Sequence, residues 1–149
     1  MRVLFALAGL SLGFVSTRVA LAESPNAYLG AGIRAGFNDD VGALIDSKVK
    51  VFPLGDALSI SVRPELLLGN DTELRLPISL DAEIDQGVYP FAGVGVAYNA
   101  DGSSDFDPMA TAGLDLGLNS HWVLSTELNV IFKSGDTDTE FIGSLNYAF

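Results

Sequence analysis

The stretch Glu73-Leu-Arg-Leu-Pro-Ile-Ser-Leu-Asp-Ala-Glu-Ile84 decides the fold, because polar and apolar residues alternate along it with one exception, Pro77. A period of two places successive side chains on opposite faces of an extended strand. The stretch is 12 residues long, and a tilted strand crosses a bilayer with about 9–11 residues. We therefore predict a membrane-length β-strand with one wholly apolar face.

The same alternation continues on both sides of this stretch, from Ala27 to Phe149. Clusters of Gly, Asn, Asp and Pro interrupt it at regular intervals, and these residues favour tight turns. Eight strands are predicted, over residues 27–37, 42–52, 57–68, 73–84, 88–98, 108–118, 121–132 and 139–149. The hairpin spacing predicts that consecutive strands are antiparallel neighbours.

Alternation alone does not tell which face is inside, because a soluble β-sandwich also has one apolar and one polar face. The polar face is rich in Gly and Ser, which fit a crowded lumen. Aromatic residues gather at the strand ends in two groups, as in the girdles of membrane barrels. One predicted girdle is Phe37, Tyr98, Phe132 and Phe141, and the other is Phe52, Trp122, Tyr147 and Phe149. The predicted fold class is all-β, an eight-stranded antiparallel up-and-down transmembrane β-barrel.

The polar face carries charges of both signs, with Arg34 expected beside Asp46, and Arg63 and Glu65 across from Glu73 and Arg75. Eight strands leave room for side chains but not for a channel. We therefore interpret these charges as a packed network of ion pairs rather than a gated conduit. The predicted lumen network is Arg34, Asp46, Lys48, Lys50, Arg63, Glu65, Glu73, Arg75, Asp81, Glu83, Asp115, Glu127 and Glu140. Its acids exceed its bases by three, so some carboxylates must be near water, protonated or hydrogen-bonded.

The first 22 residues have the composition of a secretory signal. A basic start is followed by an apolar run from Val3 to Val15, and Ala20-Leu21-Ala22 fits a signal peptidase site. We predict a signal peptide over 1–22 and a single barrel domain over 23–149. Export to the outer membrane of a Gram-negative cell follows from this pairing of signal and barrel.

The remaining chain is acidic and contains no cysteine. Six Lys and Arg residues stand against 19 Asp and Glu, a formal charge of −13 without the first 22 residues. Such a chain repels phosphate backbones, so nucleic acid is not an expected partner. A disulfide framework and a thiolate metal site are excluded, and no cofactor is expected.

Three motifs carry a family resemblance. They are Gly113-Leu-Asp-Leu-Gly-Leu-Asn-Ser-His-Trp-Val-Leu-Ser-Thr-Glu-Leu-Asn-Val130, Pro90-Phe-Ala-Gly-Val-Gly-Val-Ala-Tyr98 and the aromatic C-terminal strand Ser144-Leu-Asn-Tyr-Ala-Phe149. They resemble small outer-membrane barrels of the OmpA-like family, and the first is similar to the penultimate hairpin of that family. The resemblance implies an eight-stranded barrel, and recognition of its last strand by the barrel-assembly machinery. The outer loops are shorter than in adhesive members, and no peptidoglycan-binding domain follows.

A catalytic role would have to involve His121, the single histidine, with Ser125 and Glu127 on the same predicted strand. Four residues of extended chain separate His121 from Ser125 by roughly 13–14 Å. A nucleophile and its base must lie within hydrogen-bonding distance. We therefore predict that the protein is not an enzyme and that His121 lies in a turn.

Two further features suggest binding. Pro64 and Pro77 fall within neighbouring predicted strands, where each removes a backbone donor. They predict either a paired bulge that bends the wall or a lateral seam that admits a lipid. The acidic loops at Asp39-Asp40, Asp101 to Asp107 and Asp136 to Asp138 could hold Ca²⁺ or Mg²⁺, but a solvated rim explains them equally.

The expected function is that of a monomeric, non-enzymatic outer-membrane barrel with a structural or surface-interaction role, in contact with outer-membrane lipid. One alternative is a barrel that binds or laterally passes a small apolar ligand or lipid. The other is a soluble, secreted, lipocalin-like binder with the two faces reversed.

Overall fold

A computed structural model describes residues 24–37, 41–100 and 105–149. The predicted signal peptide and the loop residues 38–40 and 101–104 lie outside the described residues. The described chain contains nine strands: β1 (Ala27–Gly36), β2 (Val41–Pro53), β3 (Leu58–Val62), β4 (Glu65–Leu68), β5 (Thr72–Ala82), β6 (Val88–Asn99), β7 (Phe106–Gly117), β8 (Trp122–Lys133) and β9 (Asp136–Ala148). Within these ranges no helix is long and apolar enough to span a membrane.

The strands form a closed antiparallel barrel. Consecutive strands pair with each other except β3 and β4, and β1 pairs with both β2 and β9, which leaves no free edge among the described strands. β3 and β4 both lie between β2 and β5 and are two halves of one strand, which we call the β3/β4 strand. The predicted eight-stranded up-and-down barrel is confirmed.

The structure shifts several predicted boundaries by two or three residues and divides one predicted strand. The strand predicted over 57–68 is interrupted at Arg63 and Pro64, because proline has no N–H for the ladder. The strand predicted from residue 108 begins at Phe106. The loop predicted over 133–138 is a turn at Ser134 and Gly135, since β9 begins at Asp136. Gly135 has φ 84°, a left-handed conformation that favours glycine.

The apolar face is on the outside of the barrel. Along β5, Leu76 is 48% exposed whereas the adjacent Arg75 is fully buried. The same alternation holds on the other strands, where exposed Leu, Ile and Val side chains surround the barrel and polar side chains fill its interior. A soluble binder needs the reverse arrangement, with its apolar residues around a ligand.

The interior also contains apolar side chains, which the sequence reasoning did not assign. They form three small buried clusters: Leu44, Leu67 and Ile142; Ala97, Met109 and Ile131; and Tyr28, Val123 and Ala148. The parity of each strand could have identified them, because each has the same odd or even number as the inward polar residues of its strand. The interior is therefore a mixed core, with apolar contacts between the charges.

Glycine allows close contact between β5 and β6. A Cβ built on Gly93 would overlap the carbonyl oxygen of Ile78 and lie 2.8 Å from Cα of Ser79. The inward face of β6 thus approaches the β5 backbone more closely than a residue with a Cβ atom would allow at position 93. A Cβ on Gly143, by contrast, meets nothing within 4 Å.

We predict that Gly93→Ala lowers the free energy of unfolding by about 1–3 kcal/mol, because the β5 and β6 backbones must separate to admit the methyl group. Gly143→Ala is the matched control and should leave stability unchanged or slightly raised. Urea unfolding of the refolded barrel in lipid vesicles measures both. Equal stability of the two variants would contradict the close packing of β5 and β6.

Candidate functional site: the polar lumen

The end of the lumen nearer the chain termini holds a compact cluster of two bases and two acids, the lower cluster. Arg63 Nη2 lies 2.9 Å from Asp115 Oδ2 and 3.2 Å from Asp81 Oδ1. Lys48 Nζ lies 3.0 Å from Asp81 and 3.4 Å from Asp115. All four side chains are buried. The two positive and two negative charges therefore balance one another.

Neutral groups complete the lower cluster. Asp115 accepts hydrogen bonds from Tyr28 Oη at 3.2 Å and from Ser125 Oγ at 2.6 Å. Asp81 accepts from Ser61 Oγ at 2.5 Å and from Ser79 Oγ at 2.6 Å. The Arg63 guanidinium also stacks 3.4 Å from the centroid of the Phe91 ring, which is buried in the lumen. These partners satisfy the charges that the barrel removes from water.

An upper cluster surrounds Arg75 in the other half of the lumen. Its Nε donates to Glu73 Oε1 at 2.6 Å, and its Nη1 donates to Glu140. Arg34 Nη1 also donates to Glu140, at 3.2 Å. Two guanidinium groups thus face two carboxylates. Glu65 approaches the cluster more loosely, with its Oε2 3.8 Å from Arg75 Nη1.

The expected pairing of Arg34 with Asp46 was wrong. Asp46 lies opposite Gly30 on β1, and its carboxylate accepts from Ser144 Oγ at 2.5 Å and Asn146 Nδ2 at 3.2 Å. The stagger between β1 and its neighbours carries Arg34 to Glu140 instead. Pairings across a barrel depend on this stagger, which strand periodicity does not fix.

The other predicted lumen residues occupy different levels. Lys50 is half-buried near the termini, where its Nζ donates to the carbonyl of Ser24 at 3.2 Å. Glu83 lies near the same end, beside a cleft that Lys50 also lines. Glu127 is buried, 3% exposed, between the two clusters. The clusters therefore use eight of the 13 predicted residues, and Glu65 lies beside the upper one; the eight are Arg34, Lys48, Arg63, Glu73, Arg75, Asp81, Asp115 and Glu140.

Cavities open at both ends of the barrel, and packed side chains separate them. The one at the termini has a volume of about 530 Å³ and includes Ser24, Tyr89 and His121 in its lining. The one at the opposite end has about 380 Å³ and includes Arg34 and Lys133. Between them the side chains of Lys48, Arg63, Glu65, Asp115 and Asn129 are at most 1% exposed. The lumen is a plugged interior rather than a continuous pore.

Seven of the eight predicted girdle residues lie at or near the strand ends that form the two rims, whereas Phe141 lies in the middle of β9, opposite Leu128. Phe37, Phe132, Phe52, Trp122, Tyr147 and Phe149 are exposed, and Tyr98 and Phe141 are half-buried. Trp122 and Tyr147 pack edge to face at 5.4 Å, and Tyr98 packs against Phe106 at 5.0 Å. Phe106, 69% exposed, was missed because it was assigned to a loop.

Two polar residues on the apolar face, Ser47 and Thr126, donate hydrogen bonds to the backbone. Ser47 Oγ donates to the carbonyl of Pro64 at 2.7 Å, and Thr126 Oγ1 donates to the carbonyl of Leu114 at 3.4 Å. Such internal bonds lower the cost of placing a hydroxyl in an apolar medium. Both exceptions to the apolar pattern are therefore compatible with a lipid-facing surface.

The strands remain paired across Pro64 and Pro77. The registers of the β3/β4 strand with β2 and with β5 are the same on both sides of Pro64. Hydrogen bonds flank the site, from Ser47 N to the carbonyl of Pro64 at 3.1 Å and from Arg63 N to that of Pro77 at 2.9 Å. The predicted paired bulge at the prolines was wrong; the bulge in β2 lies between Lys50 and Phe52. A lateral seam stays a prediction and would require these bonds to open.

His121 lies in the exposed turn before β8, as expected. Its Nδ1 lies 2.8 Å from Ser120 Oγ, and its ring stacks on Tyr147 at 5.5 Å. Ser125 points into the lumen, where it donates to Asp115. The structure therefore does not bring His121, Ser125 and Glu127 together.

Comparisons with known proteins identify the architecture. No family model matches the chain, and no curated protein matches it. A de novo designed transmembrane β-barrel superposes with a TM-score of 0.64 at 14% identity, over 85% of this chain and 98% of the designed one. The outer-membrane protein Ail of Yersinia pestis gives 0.61 at 8% identity, over 85% and 100%. The N-terminal barrel of Pseudomonas aeruginosa OprF gives 0.53 at 12% identity, over 84% and 98%. At these identities the likeness establishes the fold.

We predict that Asp115→Asn lowers the free energy of unfolding by about 3–5 kcal/mol, because Arg63 and Lys48 stay buried with a single carboxylate between them. The control is Asp138→Asn, which breaks the more exposed pair of Lys133 and Asp138 at 2.5 Å. It should cost less than about 1 kcal/mol. Urea unfolding in vesicles measures both, and equal losses would rule out a dominant lower cluster.

Proposed function

We propose that the chain is a non-enzymatic protein of the Gram-negative outer membrane, with a structural or surface-interaction role. The observation that carries this proposal is the arrangement of the two faces. Aliphatic side chains cover the outside of the closed barrel, while ion-paired side chains fill its interior. In water such a surface would aggregate, whereas in a bilayer it is matched to the acyl chains.

The fold supports one orientation in the membrane. β1 begins and β9 ends at the same rim, where Phe149 N donates to the carbonyl of Ala27 at 3.2 Å. A chain delivered from the periplasm by a signal peptide would keep both termini there. Asp71, Asp105, Asp107, Asp136 and Asp138 then lie toward the cell surface. This rim would repel anionic polymers such as sulfated glycans, and any surface partner should be neutral or basic.

The interior supports a structural role over transport. Ion pairs and apolar clusters occupy the lumen between the two end cavities, so a solute would have to displace several buried charges at once. The proposed partners are outer-membrane lipid on the apolar face and the barrel-assembly machinery at the C-terminal strand. The proposed state is a monomer, because the closed sheet offers no edge for pairing.

Expression of the full chain in a Gram-negative host tests this proposal. We expect the protein in the outer-membrane fraction, without its first 22 residues. We also expect its unboiled form to migrate at a different apparent mass from its boiled form, because a closed barrel resists detergent. Planar bilayers containing the purified barrel should show no steady conductance. Recovery from the soluble periplasm, with no effect of boiling, would contradict membrane insertion, and a steady ion current would contradict the structural role.

A further inference from the structure

The interior charges do not balance, and the structure shows where the imbalance lies. Eight acids and five bases occupy the predicted network, an excess of three acids. The lower cluster pairs two with two, and in the upper cluster Arg34 and Arg75 face Glu73 and Glu140. Lys50 and Glu83 line the same cleft at the terminal end. The three remaining carboxyl groups are Asp46, Glu65 and Glu127, which we call the carboxyl layer.

The carboxyl layer is deeply buried, with side chains from three different strands. Asp46, Glu65 and Glu127 are 2%, 1% and 3% exposed. Asp46 has two donors, Ser144 and Asn146, but both oxygens of Glu65 and Oε1 of Glu127 lack a hydrogen-bond partner in the described structure. Three unneutralised carboxylates at this depth would be very costly. A positive charge must therefore be supplied from outside the network.

The neighbouring polar atoms also lack partners. Both amide atoms of Asn129, the next inward residue after Glu127 on β8, have none within the described chain, and neither does Oδ1 of Asn146. Both side chains are fully buried. Buried amides without partners are rare and point to a small bound species. This observation is independent of the acid count and concerns neighbours of the carboxyl layer, since Asn129 follows Glu127 on β8 and Asn146 Nδ2 donates to Asp46.

Glu65 and Glu127 interact most strongly with each other. Glu127 is the principal charged neighbour of Glu65, and the two carboxyl groups are close enough for a hydrogen bond although neither carboxylate supplies a donor. Two carboxylates have only acceptors, so such a bond needs a proton on one of them. Among the described residues, no three His, Cys, Asp or Glu side chains are grouped to hold a metal ion. The geometry of this pair thus favours a proton over a metal.

We propose that Glu65 and Glu127 form a proton-binding site inside the lumen and share one proton at neutral pH. The charged groups nearest the pair are Asp46 on β2 and Arg75 on β5, whose Nη1 lies 3.8 Å from Glu65 Oε2. Beyond them lie the other charges of the two clusters: Arg34 on β1 and Glu140 on β9 in the upper cluster, and Lys48, Arg63, Asp81 and Asp115 in the lower one. Glycines line the inner face of β6 at this level. Loss of the shared proton in alkaline solution leaves an added buried negative charge, which should draw water into the lumen and loosen the barrel.

Infrared spectroscopy of the mature barrel in vesicles tests this site. The carbonyl stretch of a protonated carboxylic acid is absent from a carboxylate, so it reports the proton directly. We expect this band in the wild-type barrel at neutral pH and its loss in alkaline solution. Its intensity should fall in Glu65→Gln and in Glu127→Gln. The matched control Glu140→Gln, another buried lumen acid but paired with Arg34 and Arg75, should retain the band.

Stability gives a second readout. Glu65→Gln should lose less stability than the wild type between neutral and alkaline pH, since it has no proton to release there. Glu140→Gln should lose stability at every pH.

Absence of the acid band in the wild type at neutral pH would overturn the proposal, as would equal intensity in all three variants. A metal ion in the purified barrel, together with the absence of the acid band, would mean that a cation and not a proton neutralises the carboxyl layer, and this result would also overturn the proposal. If a variant fails to fold, the wild-type spectrum still decides. A soluble location of the chain would overturn the proposed function but not this site.

Discussion

The interior depends most on the hydrogen bonds and ion pairs of one buried carboxylate, that of Asp115. It accepts from Tyr28 on β1, Lys48 on β2, Arg63 on the β3/β4 strand and Ser125 on β8. One side chain on β7 therefore links five of the eight wall strands across the lumen. Backbone ladders close the wall, but they act only between neighbours. Cross-lumen bonds of this kind fix how far opposite walls stand apart, and they do so where water is excluded and each bond is strong.

The apolar exterior and the charged interior have one cause. A barrel in a bilayer gains nothing by hiding aliphatic side chains from lipid, so they remain outside, and the small interior receives the polar residues. Polar groups there must form hydrogen bonds with one another, which explains the serines beside Asp81 and Asp115. It also explains why Ser47 and Thr126, on the outer face, bond to backbone carbonyls. The same constraint makes the carboxyl layer conspicuous, because both oxygens of Glu65 and one of Glu127 lack the hydrogen-bond partners found above and below them.

Strand parity predicted the wall well and the interior partners poorly. The alternation along residues 73–84 determines which β5 side chains point outward, since a shift by one residue would put Leu and Ile in the lumen. The same parity assigns Leu44, Ile131 and Ile142 inward, although they were overlooked as isolated apolar residues. By contrast, Arg63 meets Asp115 at a separation of 52 residues, and Arg34 meets Glu140 rather than Asp46. These contacts depend on barrel stagger and side-chain length, which no local pattern contains.

Contacts between lipid acyl chains and side-chain methyl groups test the central claim most directly. Nuclear Overhauser measurements on the methyl-labelled barrel in a lipid bilayer compare two sets of the same residue types. The account predicts lipid contacts for Leu76, Ile78 and Leu80 on the outer face, and none for Leu44, Leu67, Ile131 and Ile142 inside. Lipid contacts for the inner set, or water contacts along the outer set, would contradict the assignment of the two faces and with it the membrane barrel.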